Sequence, residues 1–345
     1  MDNSGQGRRL WWVLIVPFMK SLKYSDICLI PNFSTCESRS KNNTKCRVGG
    51  KDFKLPIVPA NMQSVINSSL AKWMSENDYF YIMHRFNIDI VDFVRTANKE
   101  SWKTISISIG VKEEDENIVK QISNENLRVD YITIDIAHGH CRRMEQMIKF
   151  LLQKASFCFL KGCKIIAGNV ATPLAVKDLH RWGASVIKVG IGQGSPCTTK
   201  DKTGFTMPMF SCVQKCSEVY SGSGDDMVPV IADGGISSSG DIAKAIRAGA
   251  NMVMAVGLFA SCKDSPAKII ICSDGSRKKA YYGSASFQNK GHNNHIEGVQ
   301  REIETSGLTY ADKLEEIEQN LQSSISYAGG KDLSSLAGVD YEVIA

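Results

Sequence analysis

Cys197 and Thr199 stand near the end of a stretch, Val186 to Gly204, whose residue types suit nucleophilic chemistry. Val186-Ile187-Lys188-Val189 is a short, mostly β-branched run and predicts a buried strand. It leads into Gly190, Gly192 and Gly194, then into Cys197 and Thr199. Glycine adopts tight conformations closed to other residues, so this loop can turn several backbone groups toward one place. A cysteine on such a loop is presented to a pocket. Lys200 and Lys202 lie close in sequence, and nearby positive charge lowers a thiol pKa toward neutrality. Cys197 therefore reads as a nucleophile. The competing reading is a buried structural cysteine, the commoner fate of this residue type.

Other residues offer complementary chemistry. Asp233-Gly234-Gly235 and Val256-Gly257 follow apolar runs, where glycines let a phosphate oxygen approach backbone N–H groups. Tight turns alone would explain the same glycines. Asp233 suits a ribose diol, or equally a helix cap. Asp135-Ile136-Ala137-His138-Gly139-His140 sets an acid and two imidazoles together, but no third metal ligand is evident. His84 reads as either a site residue or a hydrogen-bonded core residue. Glu297-Gly298 lies in a polar stretch; a carboxylate on a flexible arm can act as general acid or base, though most isolated glutamates are solvated.

These residues need a scaffold. Apolar runs recur at residues 55–59, 79–83, 105–109, 131–136, 164–167, 186–189, 228–232 and 251–256. Most are rich in Val and Ile with little alternation, as strands buried on both faces should be. Segments of helical length separate them: 70–77, 117–126, 142–153, 173–182 and 239–248. Thr172-Pro173 and Ser239-Gly240-Asp241 look like helix starts, and Gly183 and Gly249 fall where C-caps belong. Eight strand–helix units in about 210 residues predict an α/β fold, a (β/α)8 TIM barrel, which typically takes about 250. A doubly wound sheet is the runner-up, but no Gly-x-Gly-x-x-Gly follows the first run. In a barrel, functional residues gather at the C-terminal ends of strands, where Asn61-Met62, His84-Arg85, Gly110, Asp135 to Gly139, Gly168-Asn169, the cysteine loop, Asp233 to Gly235 and Gly257 would lie. Residues 273–300 are polar and predict a mobile loop, and a helix is expected over 310–323.

With 43% hydrophobic and 22% charged residues the composition is that of a globular protein, and the net charge of +5 is scattered, so neither nucleic acid nor membrane is the expected partner. The eleven cysteines form no Cys-x-x-Cys pair; an odd, irregular set fits reduced thiols in a cytoplasmic setting. Arg8-Arg9 before the apolar run to Met19 resembles a signal peptide, but no small-residue cleavage site follows and the run is too short to span a bilayer. Residues 1–18 are expected to be a non-core extension and 19–345 a single barrel domain.

Several motifs together resemble the IMP dehydrogenase and GMP reductase family. They are Gly-Ile-Gly-Gln-Gly-Ser-Pro-Cys-Thr-Thr (190–199), Ile-Ala-Asp-Gly-Gly-Ile (231–236), Pro-Ala-Asn-Met-Gln-Ser (59–64), Tyr-Ile-Met-His-Arg-Phe (81–86) and Ser-Ser-Ile-Ser-Tyr-Ala-Gly-Gly (323–330). With Tyr-Ile-Thr-Ile-Asp-Ile-Ala-His-Gly-His (131–140) the likeness is to bacterial-type GMP reductases, over about residues 24–344. The resemblance implies a homotetrameric enzyme that reduces GMP to IMP with NADPH and releases ammonia, through a covalent Cys197 thioimidate, in purine interconversion. It implies Thr199 and Glu297 as partners handling the ammonia proton, and Asp233, Gly234, Gly235 and Gly257 for ribose and phosphate. Cofactor contacts would come from Asp135, Ile136, Ala137, Ile191, Gly192, Val230, Ile231, Ala232, Gly240 and Asp241. Backbone carbonyls of Gly192, Gly194 and Cys197 would hold a monovalent cation such as K+. Departures from the family pattern are His295-Ile296, Val299 and residues 193–196.

The rivals are an IMP dehydrogenase and a catalytically silent nucleotide-binding barrel. About twenty residues separate His84 from Ile105, too few for the regulatory insert common in dehydrogenases. The Arg-Tyr pair on which that family's water attack relies is absent, and no arginine lies between Arg277 and Arg301. Retention of Cys197, Thr199 and Glu297 together argues against a silent binder.

Overall fold

The computed structural model describes residues 20–157, 162–220, 228–290 and 294–344; the proposed extension over 1–18 lies outside the described residues. Most of the apolar runs become short parallel strands that are buried along nearly their whole length. In spatial order they are Ile57–Pro59, Met252–Ala255, Val230–Asp233, Val186–Val189, Lys164–Val170, Tyr131–Asp135 and Ser106–Ile109. The last strand of this sheet in sequence thus pairs with its first, Val253 opposite Ile57, which curls the sheet into a (β/α)8 barrel.

The second barrel position differs from expectation. Of residues 79–83, only Met83 forms a bridge, parallel to Ile107. Side chains replace the ladder there: the Tyr81 hydroxyl donates to the Thr104 carbonyl at 2.9 Å and accepts from the Ser106 N–H at 3.3 Å. Ser108 Oγ donates to the Met83 carbonyl at 2.7 Å.

Eight helices follow the eight strand positions: Ser68–Glu76, Ile90–Lys99, Glu113–Asn124, Arg142–Phe157, Pro173–Trp182, Met209–Ser217, Ser239–Arg247 and Tyr310–Tyr327. Two of these, Ile90–Lys99 and Met209–Ser217, were not anticipated. The start signals act as read: Thr172 Oγ1 accepts the Ala175 N–H with Pro173 in the first turn, and Gly183 closes that helix with φ 116°. Ser238, one residue before the expected start, caps Ser239–Arg247 in a capping box with Asp241.

Opposite the catalytic end, a hairpin of Cys46–Val48 and Lys51–Phe53 covers the barrel. Phe53 packs on Phe80 and Tyr131, and the Tyr131 hydroxyl donates to the Val48 carbonyl at 2.8 Å. Near the two ends of the chain, Ile27–Leu29 pairs antiparallel with Tyr341–Val343.

Residues 273–300 do not form the expected loop throughout. Lys268–Ile271, Arg277–Tyr282 and Gln300–Glu304 make a three-stranded antiparallel sheet, with a short helix over Phe287–Lys290. The lysines of Arg-Lys-Lys-Ala-Tyr-Tyr hid this strand. Lys279 is 1% exposed, and its ammonium donates to the Lys263 and Ser265 carbonyls and to Ser265 Oγ. Among the described residues, no helix is long and apolar enough to cross a membrane.

Candidate active site

The buried strand Val186–Val189 ends at Gly190, where φ is 135° and an added Cβ would fall 2.1 Å from the Asp233 carbonyl oxygen. Only glycine lets the chain pass that close to the seventh strand. Gly192 also has positive φ, whereas Gly194 does not. The loop then presents Cys197 to a cavity of about 360 Å³ at the C-terminal ends of the strands. Cys197 is partly exposed, so the buried structural reading does not hold.

The Cys197 sulfur lies 3.2 Å from Thr199 Oγ1, and that hydroxyl donates to Glu297 Oε2 at 2.6 Å. Thr199 begins the one-turn helix Thr199–Thr203 and is 8% exposed. Glu297 arrives just before the strand Gln300–Glu304, on the far arm of the flap that this three-stranded sheet and its connections form, and main-chain bonds fix it. The Thr198 N–H donates to the Glu297 carbonyl at 2.9 Å, the Val299 N–H to the Pro196 carbonyl at 2.9 Å, and the Glu297 N–H to the Ala285 carbonyl at 3.1 Å. Cys197 and Gly298 thereby form an antiparallel bridge. Lys200 and Lys202 are exposed; the Lys202 ammonium donates to the Ile296 carbonyl at 2.6 Å, so it tethers the flap.

The opposite wall is charged. Lys188, 1% exposed, puts Nζ 2.7 Å from Asp135 and 3.2 Å from Asp233. Burial alone would raise the Asp135 carboxyl pKa, but the Lys188 ammonium, with Arg85 and Asn61, holds it below the ordinary carboxylate range. Burial likewise works against the charge on Lys188, and the two carboxylates outweigh it, so the ammonium titrates above an ordinary lysine. Asn169 donates to Asp233 Oδ2 and the Gly190 carbonyl, both at 2.8 Å. Asn61 donates to Asp135 Oδ2 at 3.2 Å. Sequence reasoning missed Lys188 as a site residue, and placed Asn169 at a strand end without giving it a role. A lysine inside a strand buried on both faces was the available signal, since such a charge needs a paired partner.

Of the residues expected to act, the cavity wall includes Cys197, Thr199, Glu297, Asp233, Asp135, Ile136, Ala137, Ile191, Gly192 and Gly194. Gly234 and Gly235 turn the chain just beyond Asp233, and the Gly235 N–H donates to the Gln193 carbonyl at 3.1 Å. Gly257 opens the short helix Gly257–Ala260. Nearby, Ser195 and Tyr281 join hydroxyls at 2.8 Å.

Five expected cofactor residues do not reach the cavity. Val230, Ile231 and Ala232 are strand residues buried at 1% exposure or less. Gly240 lies in the first turn of the following helix. Asp241 spends Oδ2 on the cap, accepting from the N–H and hydroxyl of both Ser237 and Ser238.

The imidazoles also resolve. His84 is 5% exposed and accepts the Phe86 N–H at 3.3 Å; burial pushes its pKa down to about 4. It is a hydrogen-bonded core residue. His140 pairs with Asp178 at 2.8 Å while Asp135 pairs with Lys188, so this acid and imidazole do not converge.

Residues 21–343 match the family described as IMP dehydrogenase / GMP reductase domain. A GMP reductase of Staphylococcus carnosus is 47% identical over 329 residues, 94% of this chain and 97% of that protein. One from Staphylococcus epidermidis is 46% identical over the same length, and one from Mesoplasma florum is 45% identical over 328 residues, 98% of its length. A nucleophile-bearing glycine loop, a carboxylate brought to it by a flap, and this likeness over nearly the whole chain lead to one conclusion: the protein belongs to the IMP dehydrogenase / GMP reductase family of enzymes.

Proposed function

We propose that the protein reduces GMP to IMP with release of ammonia, at the expense of NADPH. The observation that carries this reading is the continuous Cys197–Thr199–Glu297 chain of polar contacts.

In the proposed sequence the Cys197 thiolate attacks C2 of the purine and a carbon–sulfur bond forms. The 2-amino group takes up a proton and leaves as ammonia, which gives a thioimidate. Thr199 and Glu297 carry the proton traffic at this step: the carboxylate holds the hydroxyl, and the hydroxyl is within reach of the sulfur where the amine departs. NADPH would supply a hydride to C2. The carbon–sulfur bond then breaks and Cys197 returns to the start. Starting from the thiolate, both protons leave with the nitrogen as ammonium and hydride delivery with carbon–sulfur cleavage needs none, so GMP, NADPH and two protons give IMP, NADP+ and ammonium.

Binding follows from the walls. Asp233 accepts from the ribose hydroxyls, while the Gly234 and Gly257 backbone offers N–H groups to the phosphate; the Gly235 N–H is held by the Gln193 carbonyl, so Gly235 contributes the turn that brings the chain to the ligand. Asp135, Ile136, Ala137, Ile191 and Gly192 give the nicotinamide a partly apolar wall facing the sulfur. The carbonyls of Gly192, Gly194 and Cys197 belong to one turn and are hard oxygen donors suited to K+. The Gly194 carbonyl accepts the Cys197 N–H at 3.0 Å and keeps a second lone pair.

The testing assay follows NADPH absorbance on adding GMP, beside Cys197→Ala. Consumption with ammonia release is expected for the wild type, and a loss of about a thousandfold or more for the variant. Retained turnover in Cys197→Ala would overturn the covalent route, and NAD+ reduction by IMP would identify a dehydrogenase. A cytoplasmic homotetramer serving purine interconversion completes the proposal, and light scattering would measure its mass.

A further inference from the structure

Three strands place three residues side by side. Asp135 is opposite Gly168 on the fifth strand, and Gly168 is opposite Lys188 on the sixth. An added Cβ at Gly168 would sit 2.5 Å from the Lys188 Cβ and 2.7 Å from its carbonyl oxygen. The missing side chain leaves the gap through which the lysine stem crosses to Asp135. The ammonium then lies between Asp135 and Asp233, with Met254 Sδ 3.8 Å away. Lys188 is 1% exposed, whereas the Asp135 and Asp233 side chains are 15% and 21% exposed and both line the cavity. All three residues line the cavity, with the ammonium set back in the floor and its two partners more exposed. The other charged group facing this network is Arg85, whose guanidinium donates to the Asp135 carbonyl at 3.4 Å.

We propose that Lys188 is a positioning residue: its ammonium clamps Asp135 and Asp233 together from below, and so aims Asp233 at the ribose of the bound nucleotide. This rests on the nucleotide reading above. Both carboxylates reach one nitrogen, so without it they are like charges within range of each other in a poorly hydrated floor. Such a pair shares a proton near neutral pH. A protonated or swung-away Asp233 cannot accept both ribose hydroxyls.

The test pairs two measurements on the full chain. One follows the aspartate carboxyl carbons by NMR without ligand, over roughly pH 5 to 8. The other measures GMP binding by calorimetry over the same range. In the wild type the Asp135 carboxyl of the pair, held ionised by Lys188, is expected to show no titration in that window. In Lys188→Met one should titrate, and GMP binding should weaken at least about tenfold from pH 8 to pH 6. Lys188→Arg, which keeps the charge, should restore the flat profile. If Lys188→Met folds, keeps both carboxyls ionised and loses affinity equally at every pH or not at all, the lysine only fills space and the proposal is overturned. Should that variant fail to fold, Lys188→Met with Asp135→Asn removes the like-charge pair. It is expected to fold and to bind GMP weakly at every pH, because nothing then holds Asp233 in place; wild-type affinity in it overturns the clamp. The carboxyl titration needs no nucleotide, so a wild type that ignores GMP refutes the functional reading and leaves the clamp to be decided by NMR.

Discussion

The carboxylate that completes the Cys197–Thr199 pair is 98 residues away in sequence and makes a 2.6 Å bond. Glu297→Gln keeps an acceptor for the Thr199 hydroxyl but cannot take a proton. Its kcat with GMP and NADPH is expected to fall about 100-fold or more with little change in KM for GMP; equal losses through KM would assign Glu297 to binding. His84 gives a proton-linked stability effect. Its folded pKa is about 4 against an ordinary 6.5, so the unfolded chain binds a proton that the fold refuses. Stability contributed by the neutral ring is present above about pH 6.5 and is lost as pH falls toward 4, by roughly 3 kcal/mol in all. His84→Asn keeps an acceptor for the Phe86 N–H and should flatten that part of the Tm-against-pH curve. At this scale the sequence was legible where a residue acts through its immediate neighbours, as at Cys197 and Thr199. It was illegible at Lys188, whose partner Asp135 is 53 positions away, so the strand passed for a purely apolar run. At Asp241 the local reading of Ser239-Gly240-Asp241 as a helix start holds, since its carboxylate forms the capping box of that helix.

Elements were easier to read than their edges. The strand Val186–Val189 and the helix Pro173–Trp182 run as their patterns predict, because a buried β-branched run and a Thr-Pro start are local facts. Tyr79–Met83 failed as a strand because a tyrosine and a serine side chain satisfy backbone groups that a ladder would otherwise pair. The central flap strand was missed because its lysines read as solvated charge, although Lys279 points inward to three oxygens. The prediction at this scale concerns the fifth strand. Gly168→Ala leaves every charged group intact but pushes on the Lys188 stem, so GMP affinity is expected to fall about tenfold or more while the far-UV spectrum stays unchanged. Unaltered affinity would mean that the neighbouring strand yields.

For the molecule as a whole, the eight-unit rhythm was sufficient to give the barrel, whereas the pairing near its ends was not visible. Ile27–Leu29 and Tyr341–Val343 are too short to announce themselves, and they are strands only because they meet. Tyr341 adds an edge contact to Phe210, ring centres 4.9 Å apart, and lies under the Arg247 guanidinium. Tyr341→Ala should therefore cost about 2 kcal/mol of stability, read as a lowered urea midpoint, with the kinetics of the folded enzyme unchanged, since Tyr341 does not line the cavity. A loss of activity at full occupancy of the fold would instead tie this seam to the site.

The flap meets the cysteine loop through amides and carbonyls on both sides of Glu297. Such a seam is blind to the identity of the letters that flank it. Positions 296 and 299 can then be substituted without breaking these main-chain contacts, while the acid keeps its appointment with the threonine. Variation concentrated around an unvarying glutamate is thus the evolutionary signature this closure allows.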